Sequence, residues 1–426
     1  MKRILVSLIV AAACGRAALV AAETRAPIDL PALLDEVDRA SPQLQAARAR
    51  AEAAALVAPQ REALPDPKLS IAYTNDGLSA FTLGSSEFSN LTAGWEQEVP
   101  AKGVRGSAAT VAQAQADALR ATTTALRANL RARVITLYAE LWRLDRTRAL
   151  LTESRALLTT AAEAAQARYE SGEGIQEGLI RAQTAVRRAD LGIEELSLAR
   201  RQAEIALGAA IGRAEDPAFG PADELPGVAG PLDAEGLATA ATASSPDVLE
   251  TLARERTASA QLDDARVQVK PTYSWVAAYQ FRGGLDPMVM GGFSVRLPVW
   301  KDRKQERAIA GAASERTAAG HDRDEATVRA RAGARELAAG VASIDVRLRL
   351  YREALVPQSA AALDAAEAAL ASGRAEMLLV LDDFDRWIGA RREELALSAQ
   401  RVEMIASLEA MTGAELFEMR NHGRSQ

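Results

Sequence analysis

Residues 168–212 read RYESGEGIQEGLIRAQTAVRRADLGIEELSLARRQAEIALGAAIG, and most of the fold can be inferred from this segment. After the Ser171-Gly172 dipeptide, small or apolar residues recur at alternating intervals of three and four, with one break at Arg200. These residues are Leu179, Ala182, Val186, Ala189, Ile193, Leu196, Ala203, Leu207 and Ala210. Such spacing is typical of a coiled-coil seam with small side chains at the helix contacts. The segment therefore predicts a tight turn followed by a long, closely packed helix.

The same plan recurs later in the chain. Ser171-Gly172 is matched by Ser372-Gly373, and Gly212 by Gly413, each 201 residues further on. In both copies the interval from the turn glycine to the final glycine is 40 residues. Matched spacings in the same order indicate a tandem duplication of a unit of about 200 residues.

Each unit also contains a pair of segments with period-two alternation, at residues 68–99 and 272–300. These 61 residues hold ten of the 18 aromatic residues in the chain. The alternation predicts strands with one apolar face, made of Leu69, Ile71, Tyr73, Leu91, Ala93, Trp95, Tyr273, Trp275, Ala277, Tyr279, Phe281, Val289, Phe293, Val295 and Leu297. Two interpretations stand: half-buried hairpins of a soluble domain, or lipid-facing strands with aromatic residues near the membrane interfaces.

Helices are predicted between these landmarks. Lys102 to Ser171 contains no proline and can form one helix of 70 residues, roughly 105 Å long. Ile175–Gly212 and Leu237–Val269 together offer a return leg of similar length, and Leu30–Arg61 completes the corresponding leg of the second unit. The expected fold class is mainly α, internally duplicated, with long helical hairpins and four strands per chain.

Composition excludes most enzyme classes. The chain has two histidines and one cysteine, which cannot build a His/Cys metal site or a disulfide framework. Its net charge of −6 does not favour a nucleic-acid partner. No nucleophile motif or phosphate-binding loop is present, so we expect no enzyme activity and no cofactor. His321 and His422 are interpreted as solvated side chains, and Met288 and Met290 as packing or interface residues rather than a soft-metal site.

The first 22 residues predict a secretory signal peptide, with Lys2 and Arg3 before an apolar run of about ten residues. Cys14 is open to two interpretations: a lipoprotein cleavage site that would lipidate it, or a cysteine removed with the peptide. The predicted organisation is then a first repeat at 23–212, a second repeat at 236–413 and a tail at 414–426. The segment between the repeats, 213–235, is called the equatorial linker because it is expected midway along the long helices. Entry into the cell envelope follows from the signal peptide.

Arg168-Tyr169-Glu170-Ser171-Gly172 and the periodic helix after it resemble the outer membrane efflux family typified by TolC. Gly373, followed by LVLD at residues 379–382, resembles the second helical tip of that family. The resemblance implies a homotrimer whose chains share one twelve-stranded outer-membrane β-barrel above a long periplasmic tunnel of helices, an α-barrel. The compact length is similar to that of the heavy-metal branch, which serves resistance-nodulation-division (RND) pumps.

The implied function is a passive conduit of a tripartite efflux system. Its partners would be a periplasmic adaptor, an inner-membrane pump reached indirectly, and outer-membrane lipid, with no nucleic acid. A conduit for type I polypeptide secretion is the functional alternative, and a soluble periplasmic coiled-coil scaffold is the structural one. The scaffold leaves the aromatic hairpins unexplained.

If the strands lie in lipid, a monomer is excluded. Four strands cannot close a barrel, and each unpaired backbone group in lipid costs several kcal/mol.

The resemblance also implies a gate and a docking surface. Asp382 matches a position where the family carries an acidic ring at the periplasmic aperture, with Asp383 beside it. Glu177 would replace the acidic residue for which the first tip has Gly178. An intrahelical ion pair between Asp382 and Arg386, four residues on, is the alternative explanation.

The adaptor would contact the two tips, where glycine permits a sharp reversal because it tolerates positive φ. The predicted adaptor-contact residues are Ser171, Gly172, Ile175, Leu370, Ser372 and Gly373.

Overall fold

A computed structural model of the chain describes residues 27–172, 174–213, 218–222, 224–228 and 230–418. The predicted signal peptide, Cys14 and His422 lie outside the described residues. In chain order the elements are α1 (Leu30–Ala40), α2 (Pro42–Ala55), α3 (Val57–Glu62), β1 (Lys68–Thr74), β2 (Asn90–Pro100), α4 (Val104–Glu170), α5 (Gln176–Ile211), β3 (Gly227–Val228), α6 (Ala234–Ser244), α7 (Pro246–Val267), β4 (Thr272–Arg282), β5 (Leu285–Arg296), α8 (Gln305–Leu350), a π-helical turn (Tyr351–Leu355), α9 (Val356–Ala371), α10 (Met377–Thr412) and β6 (Phe417–Glu418).

The fold is mainly helical with four long strands, which confirms the predicted fold class. Helix α4 runs unbroken for 67 residues, about 100 Å at 1.5 Å per residue. Its counterpart in the second repeat is α8 continued by α9, joined through the π-helical turn, which ends two residues before Pro357. Proline lacks the amide hydrogen that an α-helical bond requires, and a π turn is one way for a helix to accommodate that loss.

The shorter legs are broken where the prediction had continuous helices. Leu30–Arg61 is divided among α1, α2 and α3, and Leu237–Val269 between α6 and α7. The breaks at Ser41 and Ser245 each precede a proline, and both serines adopt extended ψ angles of 116° and 128°. A residue before proline is disfavoured in the α conformation, so each helix ends there and a new one begins.

Stacking restores the length of the legs. The end of α5 lies on the start of α2, where a Cβ on Gly212 would be 2.3 Å from Pro42 Cδ. The end of α10 lies on the start of α7 in the same manner, and Ser244 Oγ donates to the Thr412 carbonyl across 2.7 Å. The duplication is therefore visible in three dimensions as two similar junctions.

The helices form a wall four helices wide. Nearer the turns that follow α4 and α9, the order is α5, α4, α10 and then α8 continued by α9. Nearer the strands, the order is α2 with α3, then α4, α7 and α8. The largest apolar core joins the two halves at mid-height and includes Val37, Ile135, Leu207 and Ile405, which are fully buried.

The four long strands form one antiparallel sheet in the order β1-β2-β4-β5, and the short strands β3 and β6 pair in a separate two-stranded sheet. The register of the four-stranded sheet places Ile71 opposite Ala93, Ala93 opposite Tyr279, and Tyr279 opposite Val289. Among the described residues, β1 pairs only with β2 and β5 only with β4, so both outer edges of the sheet are open. In the described part of the chain no helix has the length and apolar character needed to cross a membrane.

Candidate functional sites: the sheet, the helical tips and the acidic positions

One face of the sheet is apolar and exposed, as the alternation predicted. Ile71 and Val289 are about four-fifths exposed, at 81% and 82%, and Tyr279 is half exposed. The register brings the apolar residues of all four strands to this same face. A surface of this size rarely stays uncovered on a soluble monomer, so the face requires a partner or an apolar solvent.

Aromatic rings lie toward both ends of the apolar face. At the end bearing the hairpin loops, the rings of Tyr73 and Phe81 stack with centroids 5.0 Å apart. At the end near the helices, Phe293 contacts both Tyr273 and Trp275, with centroid distances of 5.9 Å and 4.8 Å. Aromatic residues at two levels with aliphatic ones between them are typical of strands in a bilayer.

The opposite face carries small and polar side chains. Arg296 lies 3.7 Å from Glu98 near the helical end of this face. The register places Met288 opposite Gln280 and Met290 opposite Ala278, so both methionines belong to this face. Ser274 is on it as well, but it is buried.

The two helical tips have nearly the same backbone. Gly172 and Gly373 adopt φ angles of +80° and +71°, which favour glycine because a Cβ would be strained there. Each glycine amide donates to the carbonyl three residues earlier, in Tyr169 and Leu370, over 3.1 Å. The serines before them are exposed, and each serine hydroxyl donates to a carbonyl of the helix that ends there.

The tips also contact each other. Arg168 Nη1 donates to the Leu370 carbonyl across 3.1 Å, which joins the end of α4 to the end of α9. Between the tips lies a groove of about 390 Å³ lined by residues of both repeats, among them Ile175, Gly178, Gly373 and Met377. Ile175 is 56% exposed. All six predicted docking residues therefore lie on one end of the molecule.

The acidic positions near the second tip differ from each other in environment. Asp382 is exposed on α10, whereas Asp383 is buried and forms the ion pair with Arg386. The alternative prediction of an Asp382–Arg386 pair is therefore wrong, because three residues of separation, not four, bring a carboxylate to Arg386. Glu177 is exposed in the first turn of α5 and pairs with Arg181 at 2.8 Å. Gly178 is buried, and a Cβ there would lie 3.6 Å from Met377 Cβ.

A buried cluster of charged residues lies at mid-height of the helical wall, and it was not predicted from the sequence. Arg200 pairs with Asp145 at 2.6 Å and with Glu204 at 2.5 Å, and it donates to the Gly220 carbonyl. Glu204 accepts the Phe219 amide and Asp145 the Ala222 amide, so the cluster fastens the linker to α4 and α5. The break in the apolar seam at Arg200 was the signal that could have revealed it.

Two further carboxylates have shifted pKa values. Arg127, through hydrogen bonds and charge, holds the pKa of Asp38 below its usual value, and Arg131 adds to the effect. Burial raises the pKa of Glu409, whose Oε2 accepts the Leu416 amide over 2.9 Å. Both groups join chain segments at the equator rather than lining a cavity.

Within the described ranges, no cluster of three or more His, Cys, Asp or Glu side chains is arranged to hold a metal ion.

Comparisons with known proteins agree with this architecture. A family model described as outer membrane efflux protein matches residues 33–213. No curated protein sequence matches the chain. Among solved structures, the chain is similar to the outer membrane protein VceC from Vibrio cholerae, with 19% identity, a TM-score of 0.74, and coverage of 90% of this chain and 96% of that one.

Two further structures have the same fold. CusC, described in a study of transmembrane channel formation, has 15% identity and a TM-score of 0.78, with coverage of 92% of this chain and 94% of that one. The open state of the Neisseria gonorrhoeae MtrE outer membrane channel has 18% identity and a TM-score of 0.73, with coverage of 90% and 89%. The match to the outer membrane efflux protein model is thus confined to the first repeat, and the whole chain has the fold of these channels.

Proposed function

We propose that this protein is the outer-membrane channel of a tripartite efflux system, a passive homotrimeric conduit that extends into the periplasm. The observation that carries the proposal is the four-stranded sheet, with one exposed apolar face and two open edges, attached to a helical wall about 100 Å long. A sheet in lipid must have no free edge, because its backbone groups find no water there. Sharing strands among copies meets this requirement.

The choice of three copies rests on the family resemblance. Two copies would supply eight strands, and an eight-stranded barrel is filled by its own side chains. Three copies supply twelve strands and leave an aqueous interior. The polar face of the sheet, with Glu98, Gln280 and Arg296, then lines that interior, while the apolar face contacts outer-membrane lipid.

The helical tips form the docking surface for a periplasmic adaptor in this proposal. They are the part of the chain farthest from the sheet, and their exposed Ser171 and Ser372 leave the backbone accessible. Through the adaptor the channel would meet an inner-membrane pump. The transported substrates, metal cations or drugs, are selected upstream by that pump, and the same channel fold would also serve a type I secretion system for polypeptides.

Asp382 is the gate residue that we propose for the tunnel. It is exposed near the tip, and a symmetric assembly would bring one copy of the carboxylate from each chain to the aperture. Rings of aspartate concentrate negative potential and favour cations. Asp383 stabilises the same turn of α10 through its ion pair with Arg386. Glu177 adds an exposed carboxylate at the first tip.

Membrane fractionation tests the proposal. The protein should remain in the outer-membrane pellet after extraction of the cell envelope with high salt and then with carbonate. Recovery in the soluble periplasmic fraction would contradict the proposal and favour the coiled-coil scaffold.

A further inference from the structure

Lysine is confined to the region where the long strands meet the helices. The chain has 51 basic residues, of which only six are lysines, and Lys2 lies in the predicted signal peptide. Each of the other five belongs to a long strand or lies within eight residues of one: Lys68, Lys102, Lys270, Lys301 and Lys304. No helix of the described structure contains a lysine, so the helical wall carries its positive charge on arginine.

Strand pairing places three strand ends side by side at this junction. Pro100 at the end of β2 pairs with Thr272 at the start of β4, and Thr272 pairs with Arg296 at the end of β5. Four exposed lysines lie just beyond this row and are called the lysine belt: Lys102, Lys270, Lys301 and Lys304.

The two ends of the sheet differ in charge. Lys68 is not part of the belt, because it pairs with Glu96 on the polar face of the sheet. At the other end, residues 75–89 and 282–286 contain no lysine and have one cation, Arg282. That end has three carboxylates: Asp76, Glu87 and Asp286.

Ion pairing within the chain does not account for the belt. Among the described residues, one lysine lies within 4 Å of a carboxylate, Lys301 at 3.9 Å from Glu306. Lys270 Nζ instead donates to the Lys102 carbonyl over 2.8 Å, which holds two cations of the belt together. Arginine is the residue that joins helices here, because its planar guanidinium fits a carboxylate better than the compact, strongly hydrated ammonium of lysine.

Exposed apolar residues continue from the sheet into the belt. Leu297 extends the apolar face of β5, and Leu297, Val299 and Trp300 are 63%, 73% and 69% exposed. The Trp300 carbonyl accepts the amides of Arg303 and Lys304 over 3.1 Å and 3.0 Å, so one turn holds the tryptophan and the cations together.

The same segment is positively charged. Residues 299–307 contain four cations and two carboxylates. Apolar residues followed by tryptophan and then by cations on long stems are typical of a chain that passes from hydrocarbon to charged headgroups.

We propose that the lysine belt, together with Trp300 and Arg303, binds anionic phospholipid headgroups in the leaflet nearer the helices. This inference rests on the proposed insertion of the sheet into the outer membrane, and it names the lipid that fits this surface. The lysine stems can follow the apolar surface while the ammonium groups reach the phosphates. Each cation near an anionic surface strengthens binding roughly five-fold. Lipid A phosphates lie in the opposite leaflet, at the hairpin-loop end that lacks lysine.

Brominated lipids test the proposal, because bromine quenches the fluorescence of nearby tryptophan. The sheet and the turn after it contain Trp95, Trp275 and Trp300, whereas Trp142 and Trp387 lie in the helical wall. The protein in phosphatidylcholine vesicles should be quenched more by brominated phosphatidylglycerol than by an equal fraction of brominated phosphatidylcholine. High salt should reduce the difference, because it screens charge.

Variants identify the cations responsible. Lys301→Gln/Lys304→Gln should weaken phosphatidylglycerol binding about five-fold for each lysine removed, and Lys301→Arg/Lys304→Arg should preserve it. Arg148→Gln/Arg188→Gln is the matched control, because it removes the same charge from exposed positions of the helical wall. Inorganic phosphate should not displace the lipid when compared with chloride at equal ionic strength. Displacement by phosphate would mean that the site takes the free ion, and it would overturn the inference.

Equal quenching by the two lipids, or an unchanged preference in Lys301→Gln/Lys304→Gln, would also overturn it. If the protein is assembled in the membrane pellet but shows no such preference, this inference alone is wrong and the channel proposal stands. If the protein is recovered in the soluble fraction, both are wrong.

Discussion

Arg200 Nε lies 2.6 Å from Asp145 Oδ1, and the equivalent pair one repeat later, Arg401 with Asp345, occurs in a different setting. In the first repeat the linker covers the pair, and both side chains are less than one-fifth exposed. In the second repeat the pair borders an open cavity of about 470 Å³ next to Leu225 and Pro226. The duplication thus provides a buried and a more exposed version of one ion pair in the same chain.

These two settings predict different costs for the same substitution. Arg200→Ala removes the guanidinium between Asp145 and Glu204. Asp145 then keeps only the Ala222 amide, and Glu204 keeps the Phe219 amide and Arg201 at 3.5 Å. The free energy of unfolding should fall by up to about 3–5 kcal/mol. Arg401→Ala breaks a more exposed pair and should cost about 0–1 kcal/mol. Urea unfolding of the detergent-solubilised protein, followed by circular dichroism, measures both. Equal losses in the two variants would contradict the role of Arg200 in fastening the linker.

The membrane orientation of the sheet can be tested on adjacent residues of β4. Tyr279→Arg places a charge on the apolar face and should destabilise the inserted protein by about 2–4 kcal/mol if Tyr279 lies near the bilayer midplane. Gln280→Arg is the control, because that side chain points to the polar face. The amount of each variant in the outer-membrane fraction, and its unfolding in lipid vesicles, should separate them. Similar behaviour of the two variants would argue against a lipid-facing surface.

Asp382 and Asp383 should differ in their effects on ion flow. Asp382→Ala should raise single-channel conductance or weaken block by multivalent cations, because it removes an exposed carboxylate from each chain. Asp383→Ala instead leaves Arg386 unpaired, so its main effect should be on the stability of the tip. Unchanged conductance and unchanged cation block in Asp382→Ala would show that this carboxylate does not line the aperture.

The docking surface is best tested at the serines of the tips. Substitution of Gly172 or Gly373 would strain a residue with positive φ and confuse loss of docking with loss of the turn. Ser372→Trp adds bulk at an exposed position with an ordinary φ of −89°. Efflux should be lost while assembly and membrane insertion stay normal, and Ser372→Ala should retain efflux. Normal efflux in Ser372→Trp and in the matching Ser171→Trp would place the adaptor contact elsewhere.

Much of the fold could be predicted from local sequence patterns, because period-two alternation and a long proline-free segment each indicate one kind of secondary structure. Period-two alternation identified the four long strands and placed Ile71 and Tyr279 on one face, and a proline-free segment identified α4. The two-residue strands β3 and β6 are too short to show such a pattern. The breaks at Ser41 and Ser245 follow from the prolines after them, because a residue before proline disfavours the α conformation. The matched leg lengths alone favour unbroken helices and do not show these breaks.

The ion pairs were harder to predict because they depend on exact helical phase and on distant partners. Asp382 and Asp383 are neighbours in sequence, yet only Asp383 faces Arg386. The cluster of Arg200, Asp145 and Glu204 joins segments up to 77 residues apart through the linker. The seam break at Arg200 marked the position, but no periodic pattern could show which groups satisfy it.

The central claim is that copies of this chain together form a water-filled channel across the outer membrane, and electrical recording tests it most directly. Purified protein reconstituted into planar lipid bilayers should give stable stepwise ion currents of uniform size. Protein that is inserted and assembled but leaves the bilayer electrically silent would contradict the claim.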